Sequence, residues 1–276
     1  MIARRIPGIL PNLSHEEALE STAIHSVRGL VREDAPLLCE RPFRSPHPKM
    51  SAMGMTGGGR VPQPGEISLA HNGVLFLDEF PEFAPSVLES LRQPLEDGEI
   101  TISRVAGTLT YPAEFMLVCA MNPCKCGWYG YSEKCHCTPR MVEQYRKRIS
   151  GPLMDRIDMH VQVPMVQYED MIRPGSGESS ATIRARINSV RERIAPRFEG
   201  TGVSCNARMT PKLLQEHCVL DEKASALMKK AYERMGLTAR SYTKILRVAR
   251  TIADMAGSKN IEMPHLAEAI QYRTME

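Results

Sequence analysis

A chain of 276 residues, 42% hydrophobic and 24% charged, has the composition of a folded globular protein, with length for one large domain or two modest ones. No apolar run approaches the roughly 20 residues that span a bilayer, and no basic segment followed by an apolar one opens the chain, so neither a membrane helix nor a signal peptide is expected. A net charge of +3 does not by itself argue for a nucleic-acid partner. Eight cysteines without an export signal point to a reducing, cytoplasmic setting and to metal or free thiols rather than disulfides.

Residues 1–10 read as the tail of a helix stopped by Pro7 and Gly8. Residues 15–31 follow as a helix, with Ser14 as N-cap and Glu17 completing a capping box. Residues 41–70 change in kind: Pro, Gly, Ser, Met and Arg with little period, an irregular insertion. Its triplet Gly57-Gly58-Gly59 is not a phosphate loop, because no Gly-Lys-Ser/Thr and no helix start follow; a flexible loop is expected there.

Residues 73–77 are a short apolar run without helical period, ending in Asp78-Glu79. That pattern predicts a buried parallel strand whose carboxyl end opens into a site, where ligands of open α/β sheets sit. Paired carboxylates there suit nucleotide hydrolysis: Asp78 holding magnesium through water, Glu79 orienting and activating the attacking water. A strand ending in an ordinary charged turn is the alternative. A helix over residues 83–95 is expected next, ended by Asp97-Gly98. Residues 99–104 and 108–111 read as hairpin arms, with Arg104 near the tip. Residues 115–121 form a second buried strand ending in Asn122-Pro123, and an Asn at that place can bond a γ-phosphate or the attacking water.

Cys124, Cys126, Cys135 and Cys137 follow at once. Four thiols this close match a tetrahedral structural zinc site, although Cys-x-Cys is tighter than the usual knuckle; disulfides and free thiols are the alternatives, and His136 is read as a bystander. Residues 160–164 look like a strand, and residues 165–178 a linker. The helix over residues 179–198 carries Arg184, Arg186, Arg191, Arg193 and Arg197, a face that binds nucleic acid or is simply solvated. The remainder is helical, with starts at Thr210-Pro211, Asp221-Glu222, Ser241 and Met263-Pro264.

Together these segments resemble the AAA+ ATPases of the magnesium-chelatase-like group, in the branch of the bacterial competence protein ComM, also called YifB. The phrases that carry the resemblance are Arg41-Pro-Phe-Arg-Ser-Pro-His47, the run from Pro64 to Glu79, Asn122-Pro-Cys-Lys-Cys-Gly127, Gly151-Pro-Leu-Met-Asp-Arg-Ile-Asp158 and Leu246-Arg-Val-Ala-Arg-Thr-Ile-Ala-Asp254. Five in the family's order are specific. One small departure is Pro48, where the family commonly has a second histidine.

The resemblance implies an α/β fold: a three-layer αβα AAA+ core over residues 1–164, the linker 165–178, and an all-α lid over residues 179–276. It implies Walker B roles for Asp78 and Glu79, sensor 1 for Asn122, an arginine finger acting on a neighbouring subunit's nucleotide for Arg156, and sensor 2 for Arg240. The Arg104 hairpin resembles the one that faces the pore and DNA in related helicases. ATP and Mg²⁺ are the implied cofactors, a homo-hexameric ring the implied assembly, and DNA branch migration or remodelling the implied work.

The chain starts just after the place where the family has its phosphate loop, so the expectation is a fragment lacking the P-loop strand and unable to hydrolyse ATP by itself. Two further readings stand beside this one. One is a catalytically silent, zinc-stabilised DNA-binding or assembly module. The other is metal insertion into porphyrin, as in the chelatases proper, for which no segment here is a recognisable porphyrin site.

Overall fold

In the computed structural model, residues 2–104, 107–130, 133–166, 168, 172 and 177–273 are described. The chain divides into two compact units, Met1–Arg156 and Ile157–Glu276.

The first unit opens with two 3₁₀ turns, Ala3–Arg5 and Pro7–Ile9, rather than the expected helical tail; Pro7, which has no N–H to donate, opens the second turn. Helix α1 (His15–Val27) starts at the expected box: Ser14 Oγ accepts from Glu17 N–H at 3.1 Å, and the Glu17 carboxylate accepts from Ser14 N–H at 2.8 Å. It stops before residue 31 because Gly29 turns left-handed (φ 64°) and Leu30 N–H bonds back to His25 O.

The expected irregular insertion is corrected by the structure. Residues 41–70 hold β1 (Phe43–Arg44), α2 (Ala52–Thr56), β2 (Gly57–Gly58), β3 (Gln63–Pro64) and α3 (Glu66–Leu69), with Met55, Ile67 and Leu69 fully buried. The glycines are required by close packing of backbone: Gly57 has φ 96°, and a Cβ on it would fall 2.3 Å from Gln63 O. Arg44 forks onto the Glu66 carboxylate at 2.6 and 2.7 Å, tying β1 to α3.

Then come β4 (Val74–Leu77), α4 (Pro85–Ser90), α5 (Arg92–Asp97), β5 (Glu99–Arg104), β6 (Gly107–Pro112) and β7 (Met116–Cys119). The helix expected over residues 83–95 is two short helices meeting at Leu91, since Pro94 cannot donate within a continuous turn. Strands β1, β4 and β7 form a parallel sheet in the order β1-β4-β7, with Val74 beside Phe43 and Met116, and Leu77 beside Cys119. β5 and β6 pair as the expected antiparallel hairpin, closed by Arg104 opposite Gly107; residues 105 and 106 lie outside the described residues. Leu75, Leu77, Phe80, Leu88, Leu91 and Leu153 are buried at the centre of this unit. Helices α6 (Pro139–Arg146) and α7 (Gly151–Met154) complete it.

The second unit contains no assigned strand among its described residues. The strand expected over residues 160–164 is corrected: the segment is not assigned as a strand, Val161 and Val163 are each 66% exposed, and His160 N–H bonds to Tyr272 O at 2.7 Å. Alternating apolar residues form a strand only where a ladder partner exists. The expected linker 165–178 falls largely outside the described residues. Helices α8 (Ser180–Phe198), α9 (Pro211–His217), α10 (Glu222–Met235), α11 (Ala239–Met255) and α12 (Met263–Gln271) follow. Ser179, Thr210, Asp221 and Thr238 each cap a helix through a side-chain oxygen. The third of the expected starts is therefore Thr238, and Ser241 is the residue whose N–H it receives. Ile194, Met209, Ile245, Ala249, Ile261 and Leu266 lie in one apolar core.

Candidate functional site

Parallel pairing sets the geometry of the first-unit site. Leu77 lies beside Cys119, Ala120 N–H donates to Leu77 O at 2.9 Å, and Phe80 N–H donates to Ala120 O at 2.9 Å. Asp78-Glu79 and Met121-Asn122 therefore leave the carboxyl ends of neighbouring strands on the same edge, where α/β sheets bind ligands. Asp78, Glu79 and Asn122 are all exposed there. Asp78 Oδ1 accepts from Glu79 N–H at 3.0 Å. Glu79 has φ 51° and ψ 44°, left-handed backbone that a non-glycine residue rarely adopts. Such strain persists where surroundings hold it, and it clusters at functional positions; here the Phe80 bond to Ala120 O and the buried Phe80 ring fix the turn just beyond it.

Asn122 leads directly into the cysteine cluster. The sulfurs of Cys124, Cys126, Cys135 and Cys137 lie within 4.8 Å of one another. Cys124 and Cys126 are 3.3 Å apart, Cys126 and Cys135 3.6 Å, and Cys124 and Cys135 3.9 Å. A disulfide needs about 2.05 Å, and all four are free thiols. Four sulfurs at about 2.3 Å from one tetrahedral zinc are about 3.8 Å from each other, so the donor set fits that ion. Burial works against charge on Cys124, but hydrogen bonds from the Cys126 thiol and from the Tyr129, Cys126 and Trp128 backbone outweigh it and bring the thiol to about 6. For Cys135 a bond from the Cys137 backbone favours the charged form, but desolvation and the Cys126 and Cys124 sulfurs together outweigh it and push the thiol up to about 11. His136 is exposed and is not among the clustered donors. Tyr145, on α6, is buried, which pushes its phenol up, and it hydrogen-bonds the Asn122 backbone.

The structure does not bring Arg156 out to an exposed edge. Its side chain is 7% exposed, ion-paired to Glu96 at 2.8 Å and bonded to Pro152 O at 2.7 Å. Arg240 stands in the second unit as the second residue of α11 and is exposed. Arg104 closes the β5–β6 ladder by its backbone.

Much of the basic face expected on α8 is engaged within its own unit. Arg186 pairs with Glu178, Arg191 donates to Ser204 O, Arg193 to Asp254 O, and Arg197 forks onto Asp254 at 2.7 Å for each oxygen. Asp254 also receives Asn206 and Arg250. The one local sign of this buried network in the sequence is the single Arg250-x-x-x-Asp254 spacing, which puts the two on one face of α11.

Residues 1–171 match the family described as Magnesium chelatase, subunit ChlI, and residues 177–273 match Magnesium chelatase, subunit ChlI C-terminal. The chain belongs to the magnesium chelatase ChlI family. It is 43% identical over its whole length to the competence protein ComM of Haemophilus influenzae, covering 53% of that protein. It is also 43% identical to the uncharacterized protein YifB of Salmonella typhimurium, covering 54%. Identity to Mb2921c of Mycobacterium bovis is 40%, over 99% of this chain and 54% of that protein. The chain thus spans about half the length of the curated relatives it matches.

Proposed function

We propose that this chain is the sensor-and-lid portion of a magnesium-chelatase-like ATPase of the ComM type, whose ATP hydrolysis drives DNA remodelling or branch migration in a homo-hexameric ring. The observation that carries this is the shared carboxyl edge of β4 and β7, which sets Asp78-Glu79 and Asn122 side by side with Glu79 in a strained turn. Two exposed carboxylates and an amide are a suitable donor set for a magnesium nucleotide. Asp78 would hold the ion, Glu79 would take the proton of the attacking water, and Asn122 would orient that water or the γ-phosphate. ATP with magnesium supplies the transferable phosphoryl group. Arg156 from a neighbour, and Arg240 in the sensor 2 role that the resemblance implies for it, would stabilise the charge on that group. Arg104 contacts DNA phosphate.

The 276-residue sequence contains no Gly-x-x-x-x-Gly-Lys-Ser/Thr, the cradle that grips the phosphates. Phosphoryl transfer rests on positioning, worth about 7–11 kcal/mol in well-oriented systems, so the chain alone is expected to be silent. The test compares ATP turnover by the chain with that of a version extended to include a phosphate loop, with and without branched DNA. Turnover is expected only in the extended form and is lost with Glu79→Gln. Turnover by the unextended chain that Glu79→Gln abolishes overturns the reading.

The cysteine cluster favours a companion reading, a structural zinc bound by Cys124, Cys126, Cys135 and Cys137 that braces the loop after Asn122. One zinc per chain is expected by elemental analysis. Metal-free protein with four freely titrating thiols excludes it. Zinc without turnover in the extended form favours the silent, zinc-stabilised module instead.

A further inference from the structure

Three carboxylates stand at seven-residue intervals after the Asp78-Glu79 turn: Glu82, Glu89 and Glu96. Each holds a group on the segment that ends in Arg156. Arg148 Nη1 is 2.9 Å from Glu82 Oε2. Ser150 Oγ donates to Glu89 Oε1 at 2.5 Å. Arg156 Nη2 is 2.8 Å from Glu96 Oε2. Between these bonds Ile149 and Leu153 are buried, Leu153 completely. The run from residue 148 to residue 156 is thus laid along the helices that follow the paired carboxylates, in the same unit, with its final arginine enclosed.

That placement has a consequence for a trans-acting arginine. A guanidinium 7% exposed and paired to its own chain cannot also touch a phosphate bound by a second copy. We infer that Glu96 is a positioning residue that tethers Arg156 inside its own chain, and that a neighbour's nucleotide phosphate takes the guanidinium over from Glu96 when the ring engages. The chemistry is an exchange of one bidentate-capable anion for another, carboxylate for phosphate, at a planar five-donor group. No covalent bond is made or broken and no proton moves. Glu96 is 40% exposed, so after the exchange its carboxylate is left in water rather than buried unpaired. The seven-residue ladder also links the tether to the turn at Asp78-Glu79, because Glu82 is three residues beyond Glu79. This inference rests on the proposed finger role of Arg156.

The test reads Arg156 directly. Phenylglyoxal modification of the chain, followed by peptide mass spectrometry, compares Arg156 with the exposed Arg140 and Arg146. Arg156 is expected to be protected in the native chain and to react up to about fivefold faster in Glu96→Gln, the change expected when one partly exposed charge partner is lost; Glu96→Asp, which keeps the charge on a shorter arm, gives an intermediate rate and serves if the Gln variant folds poorly. Arg156 in the native chain reacting as fast as Arg140, or staying protected in both variants with circular dichroism unchanged, overturns the tether. The second arm mixes two phosphate-loop-containing variants, Arg156→Ala and Glu79→Gln. Recovered ATP turnover in the mixture supports a finger acting in trans. No recovery, with each variant folded and the unsubstituted extended chain active, overturns the finger role and the tether's purpose with it. No protection in the native chain, or protection that Glu96→Gln does not remove, identifies failure of the tether; loss of complementation alone identifies failure of the functional reading.

Discussion

Glu79 occupies backbone that favours glycine, and this single residue exposes a conflict between folding and chemistry. Left-handed φ costs a side-chain-bearing residue about 1–2 kcal/mol, whereas glycine adopts it freely but loses more entropy on folding. Glu79→Gly is therefore expected to be neutral or to stabilise the chain by up to about 1 kcal/mol, and Glu79→Val to destabilise it by about 1–3 kcal/mol, because a β-branched residue fits that region worst. Urea unfolding of the three forms checks the order. If Glu79→Gly is the least stable, the turn is not held as described. The same substitution removes the carboxylate that the proposed hydrolysis requires, so in a phosphate-loop-containing form the more stable variant is the inactive one.

At the scale of the element, what was legible in the sequence was local. The apolar runs of β4 and β7 ending in polar residues, the Ser14–Glu17 box, the hydroxyl and carboxylate caps of the later helices, and the hairpin with Arg104 all depend on neighbours within a few residues. What was not legible depended on distant partners. Val161 and Val163 alternate as a strand should, but both side chains are exposed and the segment is not assigned to any strand among the described residues. Glycines at 57–59 look like a flexible loop until Gln63 and Gly65 are seen pressed against Gly57. Arg156 reads as a reaching side chain until Glu96, sixty residues earlier, is found holding it. Arginines on α8 read as a nucleic-acid face or a solvated one, and the sequence does not show that Asp254 and Asn206 lie beside Arg197. That last case yields a prediction. Arg197→Ala leaves a buried carboxylate short of one partner while Arg250 and Asn206 still hold it, and is expected to destabilise the second unit by about 1.5–3 kcal/mol, the range for a hydrogen bond to a charged group. Any effect on DNA binding is expected to follow from lost stability and not from a changed salt slope; a slope reduced by about one with the melting temperature unchanged would reassign Arg197 to phosphate contact.

The whole molecule carries two compact units, each with its own buried centre and its own charged device. The cysteine cluster belongs to the first and Asp254 to the second, so two different chemical perturbations should address them separately. For Asp254, burial opposes the charge, but the bonds from Arg197 and Asn206 and the charge of Arg250 outweigh it and hold its carboxyl below the ordinary 3.8. The folded form then takes up this proton at lower pH than the unfolded form does. Its stabilisation is complete above the ordinary carboxylate value and is lost as the pH falls through the folded value. Scanning calorimetry between neutral pH and about pH 3 is expected to show the transition of the second unit falling with acid, and Asp254→Asn is expected to lower that transition at neutral pH while flattening its dependence on acid. A metal chelator at neutral pH is expected to lower the transition of the first unit and leave that of the second in place, because a bound ion stabilises only the fold that holds it. An acid dependence unchanged by Asp254→Asn would remove Asp254 as its cause. A chelator shift confined to the second unit would place the metal elsewhere than the four cysteines.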